Sequence, residues 1–355
     1  MVLRPRFDNM PNTSSVDAVL TDANKKEKEY DWLGAVETYA KGFDSISAQN
    51  FSSLGELYER LGHAFRRAAM QADDVDEFKH RMNKATANYD KAREAYDRIS
   101  DDETTARAKG LRCDAAKAYI AHWLAPDSAE KKKLLDECWK LATESMQAFE
   151  KAGEQVEYAK TYVQLSDTAI FLFTREYDFK SREKVIQEAV ESGEKAIKFL
   201  STSGDVSTLA KAYTRMVVFL GVFSYYFREI DEREKYLQEG LNYWSKAKEL
   251  SEEVAMTEFL YPVFGGQVFF GLEGAEDAFE NYEKAVEYGR KMNDKFFIGC
   301  ALDWLVYHTA WKLEATDDPV EQNRAVERCQ KYAEESLREF NKISFVSPRG
   351  DYAWT

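Results

Sequence analysis

The chain repeats itself at an interval of 51 residues, and this interval constrains the fold more than any other feature of the sequence. Ala108-Lys109, Ala159-Lys160 and Ala210-Lys211 stand at the same phase of the repeat. One interval earlier the chain has Leu57-Tyr58, and one interval later it has Tyr261-Pro262. Such periods are typical of arrays in which each unit packs on its neighbours. We therefore predict a stacked repeat architecture.

Columns of similar residues support this register. The first helix of each pair has Ala, Ala, Ser, Val and Val at positions 64, 115, 166, 217 and 268. The second helix has Ala, Cys, Ala and Gly at positions 87, 138, 189 and 240. Tyr162, Tyr213 and Phe264 form a column of large residues. Small residues recurring at one phase indicate that helices approach closely there.

Apolar residues at helical spacing predict an all-α fold without strands, because each run is bounded by turn signals and capping residues. Short linkers indicate antiparallel neighbours. The chain then divides into a flexible tail over 1–15, a repeat domain over 16–342 and a tail over 343–355. Helices are predicted over 22–45, 51–71, 74–99, 103–124, 127–152, 154–176, 181–202, 205–228, 231–254, 275–292, 294–314 and 318–342, with the array opening on an unpaired helix of the second type.

The register changes near the C-terminal end. The step from Tyr261-Pro262 to Cys300-Ala301 is 39 residues, and Pro262, Gly265 and Gly266 interrupt a pattern that should be helical. Proline removes a backbone donor, and glycine costs about 1 kcal/mol relative to alanine within a helix. We predict a bend or break, which serves either close helix packing or a hinge beside a ligand.

Charge, hydropathy and cysteine spacing exclude several classes of protein. A net charge of -14 argues against nucleic-acid binding, which needs a basic footprint. The most apolar stretch, Met216 to Phe227, has 12 residues, whereas a membrane-spanning helix needs about 20. Cysteines at 113, 138, 300 and 329 lack metal-site or redox spacing, as in a reducing compartment. We predict a cytoplasmic protein that neither spans a membrane nor binds nucleic acid.

Two segments resemble a known repeat family. DWLGAVETYAKGF (Asp31 to Phe43) and FENYEKAVEYGRK (Phe279 to Lys291) are similar to the second helix of tetratricopeptide-type repeats. The longer period of this chain resembles the SNAP-type vesicle-fusion adaptors and the helical sensor domains of bacterial transcription activators. This resemblance implies a right-handed TPR-like α-solenoid, here of about 13 helices, that binds other proteins in a concave groove.

No catalytic motif is visible in the sequence. Glu77 and His80 have the spacing of two metal ligands on one helix face, but a di-iron bundle needs a second copy and further glutamates. Phosphate-binding glycine loops and the zinc-protease motif are also missing. We therefore predict a non-enzymatic protein that uses no cofactor and no metal.

One set of polar residues indicates a binding surface. Lys109, Lys160 and Lys211 recur at the repeat interval, and further polar residues follow one or two helical turns later. The candidate partner-binding residues are Arg66, Lys109, Lys117, Lys160, Gln164, Lys211 and Arg215. In an acidic chain, such a strip favours capture of an acidic segment or a free carboxylate, although lysine also fills exposed helix positions.

Two functions remain open from the sequence. The first is a scaffold or adaptor that binds a peptide or a partner protein, which is acidic if the basic strip is its site. The second is a small-molecule-sensing regulatory domain of a larger signalling or transcription system, with Pro262 to Gly274 lining its pocket. Phe345, Tyr352 and Trp354 predict that the C-terminal tail packs on the last helices or in a partner's groove. Neither the partner nor the oligomeric state follows from the sequence.

Overall fold

The fold is an array of helices. A computed structural model describes residues 13–176, 178–224, 230–254, 275–314 and 316–344. These residues form 14 α-helices and no strand, which confirms the all-α prediction. The helices are α1 (Thr13–Lys28), α2 (Trp32–Gly42), α3 (Phe51–Ala69), α4 (Val75–Tyr96), α5 (Glu103–Leu124), α6 (Ser128–Ala152), α7 (Gln155–Leu165), α8 (Asp167–Arg175), α9 (Phe179–Leu200), α10 (Val206–Ser224), α11 (Ile230–Val254), α12 (Ala275–Met292), α13 (Lys295–Glu314) and α14 (Pro319–Lys342).

Neighbouring helices pack in the order of the chain. The most extensive contacts join α3 with α4, α5 with α6, α10 with α11, and α13 with α14. Successive pairs are joined through α4 with α5, α6 with α7, and α9 with α10. Each pair therefore buries its apolar faces on its neighbours, and the helical-repeat prediction is confirmed.

Capping residues set where the helices begin. Side-chain oxygens of several residues accept hydrogen bonds from the backbone N–H three positions later, which satisfies a donor that the helix leaves unpaired. At the other end of α6, Gly153 ends the helix in the left-handed conformation, with φ of 77°. These capping residues include Asp31, Asn50, Asp74, Asp102, Asp127 and Asp178.

Residues that recur at the 51-residue interval in the first helices are buried, as the interval predicts. Leu57, Ala108, Ala159 and Ala210 are all at most 1% exposed. The second column, at positions 64, 115, 166 and 217, is buried as well. The 51-residue interval therefore marks the buried face of α3, α5, α7 and α10.

The predicted column of buried small residues in the second helices, at positions 87, 138, 189 and 240, is wrong at its first position. Ala87 is exposed, and Ala85 is the residue of α4 that takes the buried place of Cys138 in α6. The step between these two helices is therefore 53 residues, whereas Cys138 and Ala189 are 51 apart. The difference arises because α5 extends beyond the length of α3 while the connection that follows it is shorter.

The N-terminal helix prediction is also wrong. The span 22–45 contains the end of α1, a break and α2, because Tyr30 adopts a φ of 60° and Asp31 caps α2 by accepting from Gly34 N at 2.9 Å. Helix α1 begins at Thr13, inside the predicted tail, and packs on α2. The array therefore does not open on an unpaired helix.

The helix predicted over 154–176 is interrupted at Ser166. Its hydroxyl donates a hydrogen bond to the carbonyl of Val163 at 3.3 Å, and α7 ends there while α8 begins at Asp167. Serine hydroxyls that bond back to the preceding turn bend helices, which explains the division.

Three predictions lie outside the described residues. They concern the bend at Pro262, Gly265 and Gly266, the pocket over 262–274, and the packing of the C-terminal tail that contains Phe345, Tyr352 and Trp354. All three stay predictions.

Candidate functional site

The first helices bring cations from distant parts of the chain to one surface, which we call the inner wall and define as His63, Arg66, Tyr119, Lys211 and Arg215. The Arg66 guanidinium carbon lies 5.2 Å from the centre of the Tyr119 ring. Burial raises the pKa of Tyr119 to above its ordinary range, with Asp167 adding to the rise and Arg66 and Arg215 opposing it. Helices α3, α5 and α10 therefore share this surface.

Histidine 63 shows how closely these cations gather. Its pKa is held well below the ordinary value, first by burial and then by the charges of Arg66, Arg67 and Lys211. His63 is therefore neutral at pH 7, and one of its ring nitrogens faces Arg66 Nη2 at 3.4 Å. Lys211 comes from α10 and Arg66 from α3, so charges from two of the first helices act on this imidazole.

Several of the predicted binding residues have partners within the protein. Lys160 Nζ lies 2.9 Å from Glu157 Oε1, and Arg215 is paired with Asp167. Gln164 Nε2 donates to the Tyr89 hydroxyl at 3.2 Å. The protein's own groups therefore already engage Lys160, Gln164 and Arg215.

Lys109 and Lys117 face α4. The Lys109 ammonium lies 5.6 Å from the centre of the Tyr96 ring. Lys117 Nζ is 2.8 Å from Asp90 Oδ1 and 3.0 Å from Asp114 Oδ1. Although burial lowers the pKa of Lys117, hydrogen bonds to these two carboxylates outweigh it and raise the pKa. The structure thus gathers Arg66, Lys211 and Arg215, while Lys109 and Lys117 lie towards α4.

A buried ion network, which sequence reasoning missed, ties three first helices together. Arg112 of α5 donates from Nε to Glu59 Oε1 of α3 at 2.6 Å and from Nη1 to Glu157 Oε2 of α7 at 2.7 Å. Arg112 and Glu59 are 5% and 7% exposed. The Tyr96 hydroxyl donates to the second oxygen of Glu59 at 2.8 Å. A buried charge of this kind is tolerated only when it is paired and hydrogen-bonded.

A glycine in α3 makes room for this network. A Cβ at Gly55 would lie 2.5 Å from Cε1 of Tyr96, so only glycine lets the Tyr96 ring cross α3 and reach Glu59. Gly55, Glu59 and Gly62 follow one another at helical spacing and are all buried. A glutamate between two glycines on one helix face was the signal available in the sequence.

Acid should weaken the network through Glu157. Burial would raise its pKa, but the charges of Arg112 and Lys160 outweigh burial and lower the pKa from its ordinary 4.5 to about 2. A carboxylate with a depressed folded pKa stabilises the fold above about pH 4.5 and stops doing so as the pH falls towards 2. We expect Glu157 to contribute roughly 2 to 4 kcal/mol at neutral pH.

The measurement is urea unfolding of wild type and Glu157→Gln between pH 2 and 7. The difference in unfolding free energy should be largest above pH 4.5 and should shrink towards pH 2. Glu137→Gln, which replaces an exposed glutamate of α6, serves as the control and should track wild type at every pH. A pH-independent gap for Glu157→Gln would contradict the ion network.

The turn before α13 contacts the N-terminal helix pairs. We call this set of contacts, which joins residues 292–297 to residues 67–73, the clasp. Lys295 N donates to the Met70 carbonyl at 2.9 Å, and Gln71 Nε2 donates to the Met292 carbonyl at 2.7 Å. Arg67 Nη1 lies 3.4 Å from Asp294 Oδ2. The clasp thus joins segments 221 residues apart.

Aromatic residues lie beside the clasp. Phe296 of α13 lies 5.4 Å from Trp123 and 6.0 Å from Phe171, measured between ring centres. His122 is 3% exposed and hydrogen-bonded to the Tyr119 carbonyl, as expected for a satisfied core histidine. Burial, opposed by that hydrogen bond, lowers the pKa of His122 to about 3, so it is neutral at pH 7.

Metal-binding groups and membrane-spanning helices bear on what the protein can do. Within the described ranges, no group of three or more His, Cys, Asp or Glu side chains could hold a metal ion. Glu77 is engaged by Arg81 and by the backbone N–H of Asp73, and His80 is exposed. In the part of the chain that the structure describes, no helix is both long and apolar enough to cross a membrane.

Comparison with known proteins gives only distant likenesses. No protein-family model and no curated protein matches the chain. A circular tandem repeat protein with novel repeat topology is 12% identical, with a TM-score of 0.31 over 95% of this chain and 84% of that one. A chain from the computational design of self-assembling cyclic homooligomers is 11% identical, with a TM-score of 0.15 over 93% and 98% of the two chains. Likenesses this distant carry no functional argument.

Proposed function

We propose that the chain is a non-enzymatic scaffold or adaptor that binds an acidic peptide or protein segment along its inner wall. One geometric observation carries the proposal: Arg66 of α3 lies 5.2 Å from the centre of the Tyr119 ring of α5 and 3.4 Å from the His63 ring. The charge of Lys211 from α10 also helps to lower the pKa of His63, although the chain as a whole has a charge of -14. A surface on which cations gather attracts ligands of negative charge. Such a surface needs no catalytic group.

The resemblance to tetratricopeptide-type repeats extends this proposal. It adds a right-handed superhelix with a concave groove, in which the first helices form the lining. We place the protein in the cytoplasm, where the free thiols of Cys113, Cys138, Cys300 and Cys329 would stay reduced.

A charge reversal of Lys109, Lys160 and Lys211, which we call the lysine row, tests the proposal. The variant Lys109/Lys160/Lys211→Glu should bind a fluorescent decaglutamate peptide 10- to 100-fold more weakly than wild type. Each exposed contact is worth about 0 to 1 kcal/mol, so the effect needs several residues together. Wild-type binding should weaken as salt rises, because exposed charges are screened over about 8 Å at physiological ionic strength.

The control is the variant Lys133/Lys140/Lys184→Glu, which makes the same change of charge on the second helices. These three lysines are exposed. Both variants are first checked for intact helicity and melting temperature. Equal loss of binding in the two variants would show a general effect of net charge. Unchanged binding by the variant of Lys109, Lys160 and Lys211, which reverses Lys211 of the inner wall and the two lysines at the same repeat phase, would contradict the proposal.

A further inference from the structure

Arg66 is a half-buried cation for which the described structure provides no counter-charge. Its Nε–H is buried without a hydrogen-bond partner. Nη2 meets only the ring of His63, at 3.4 Å, and the guanidinium group rests on the Tyr119 ring. A guanidinium group keeps its charge and has five N–H donors, so most of its capacity is unused here.

The neighbouring arginines are different. Arg67 is paired with Asp294, Arg112 with Glu59 and Arg215 with Asp167. His63 cannot balance the charge of Arg66, because an imidazole is either neutral or positively charged. Burial and the nearby cations hold its pKa well below the ordinary value, so it is neutral. Buried donors without acceptors are rare in proteins, and a functional role is one of the few explanations.

A second arginine is arranged like Arg66, on the other side of the same group of aromatic residues. Arg175 of α8 also has a buried Nε–H without a partner, and its guanidinium carbon lies 5.8 Å from the centre of the Phe171 ring. Phe171 and Tyr119 are 6.3 Å apart, and His122 lies 4.8 Å from Tyr119 and 5.3 Å from Phe171. Two guanidinium groups therefore flank one aromatic cluster.

We propose that Arg66 and Arg175 form an oxyanion site that takes a carboxylate or phosphate group of an extended ligand. Guanidinium groups bind both oxyanions through paired N–H donors in one plane. The buried side chains of Tyr119, His122 and Phe171 lie between the two arginines. The proposal rests on the proposed function, since it names the anchor for an acidic partner on the inner wall.

The experiment uses the full chain and two probes, the decaglutamate peptide and inorganic phosphate. Arg66→Gln removes the charge and keeps hydrogen-bonding capacity, and Arg66→Lys keeps the charge but loses the paired donors. We expect Arg66→Gln to weaken peptide binding at least 10-fold and Arg66→Lys to weaken it less. The control Arg107→Gln changes an exposed arginine of α5 and should bind within twofold of wild type.

Melting temperature gives a second readout, because a ligand that binds the folded state stabilises it. Each probe that binds should raise the melting temperature of wild type, and neither should raise that of Arg66→Gln. Without ligand, Arg66→Gln should melt no lower than wild type, because an uncompensated charge has been removed. A merely structural role for Arg66 would instead lower the melting temperature and leave the response to ligand intact.

The outcomes separate the two proposals. If the lysine-row variant loses peptide binding but Arg66→Gln does not, the oxyanion site is wrong and the inner-wall function stands. If phosphate stabilises wild type through Arg66 but the peptide does not bind, the site stands and the acidic-peptide function is wrong. If neither probe stabilises wild type, the oxyanion site is overturned.

Discussion

Arg112→Leu is expected to lower the free energy of unfolding by about 3 to 5 kcal/mol, because it leaves buried carboxylates without their cation. Arg112 bridges Glu59 of α3 and Glu157 of α7, and its guanidinium carbon lies 5.2 Å from the centre of the Phe149 ring. Its loss removes both ion pairs and leaves Glu59, at 7% exposed, to be desolvated without compensation. Chemical denaturation monitored by circular dichroism measures the change.

Two further variants make this result specific. Arg107→Leu alters an exposed arginine on the same helix and should change stability by no more than about 0.5 kcal/mol. Adding Glu59→Gln to Arg112→Leu should restore part of the loss, because the stranded buried charge is removed. If Arg112→Leu unfolds at the same denaturant concentration as wild type, the network does not hold α3, α5 and α7 together.

The repeat interval predicted the first helices well, because the buried face of a helix is recorded locally in its apolar spacing. Ala108, Ala159 and Ala210 are buried for that reason. The second helices were less predictable. Their register depends on where α5 ends and on the length of the next connection, so Ala85 rather than Ala87 aligns with Cys138.

The site was predicted only in part, since it depends on which side chains meet after folding. The interval identified Lys109, Lys160 and Lys211 as a row, but Glu157 and Tyr96, which engage two of them, have no place in that interval. The pairing of Arg112 with Glu59 spans 53 residues and falls outside the repeat register. Contacts of this kind are tertiary, and no local pattern records them.

Arg67→Glu is expected to open the clasp. The side chain of Asp294 is 4% exposed and that of Arg67 is 18% exposed, so the substitution places a carboxylate against a buried carboxylate. Burial already raises the pKa of Asp294, although Arg67 opposes the rise. Breaking a buried pair costs about 3 to 5 kcal/mol, which shifts the closing equilibrium by more than two powers of ten.

Two variants control for other effects of the charge change. Arg107→Glu makes the same substitution at an exposed site of α5 and should leave the clasp closed. Asp294→Asn keeps an oxygen for the Phe297 N–H, which Asp294 accepts at 3.1 Å, but leaves Arg67 unpaired. We expect it to open the clasp less than Arg67→Glu does, because no repulsion is introduced.

The most direct test of the clasp is the distance between α4 and α12, the helices that adjoin its two sides. Spin labels are attached at Lys79 on α4 and Lys291 on α12, which are both exposed, after Cys300 and Cys329 are replaced by serine. Pulsed electron paramagnetic resonance then measures the distance between the two labels. The clasp predicts one short, narrow distance distribution in wild type, and a longer, broader one in Arg67→Glu. A broad, long distribution in wild type would contradict the clasp, and with it the return of the turn before α13 to the N-terminal helices.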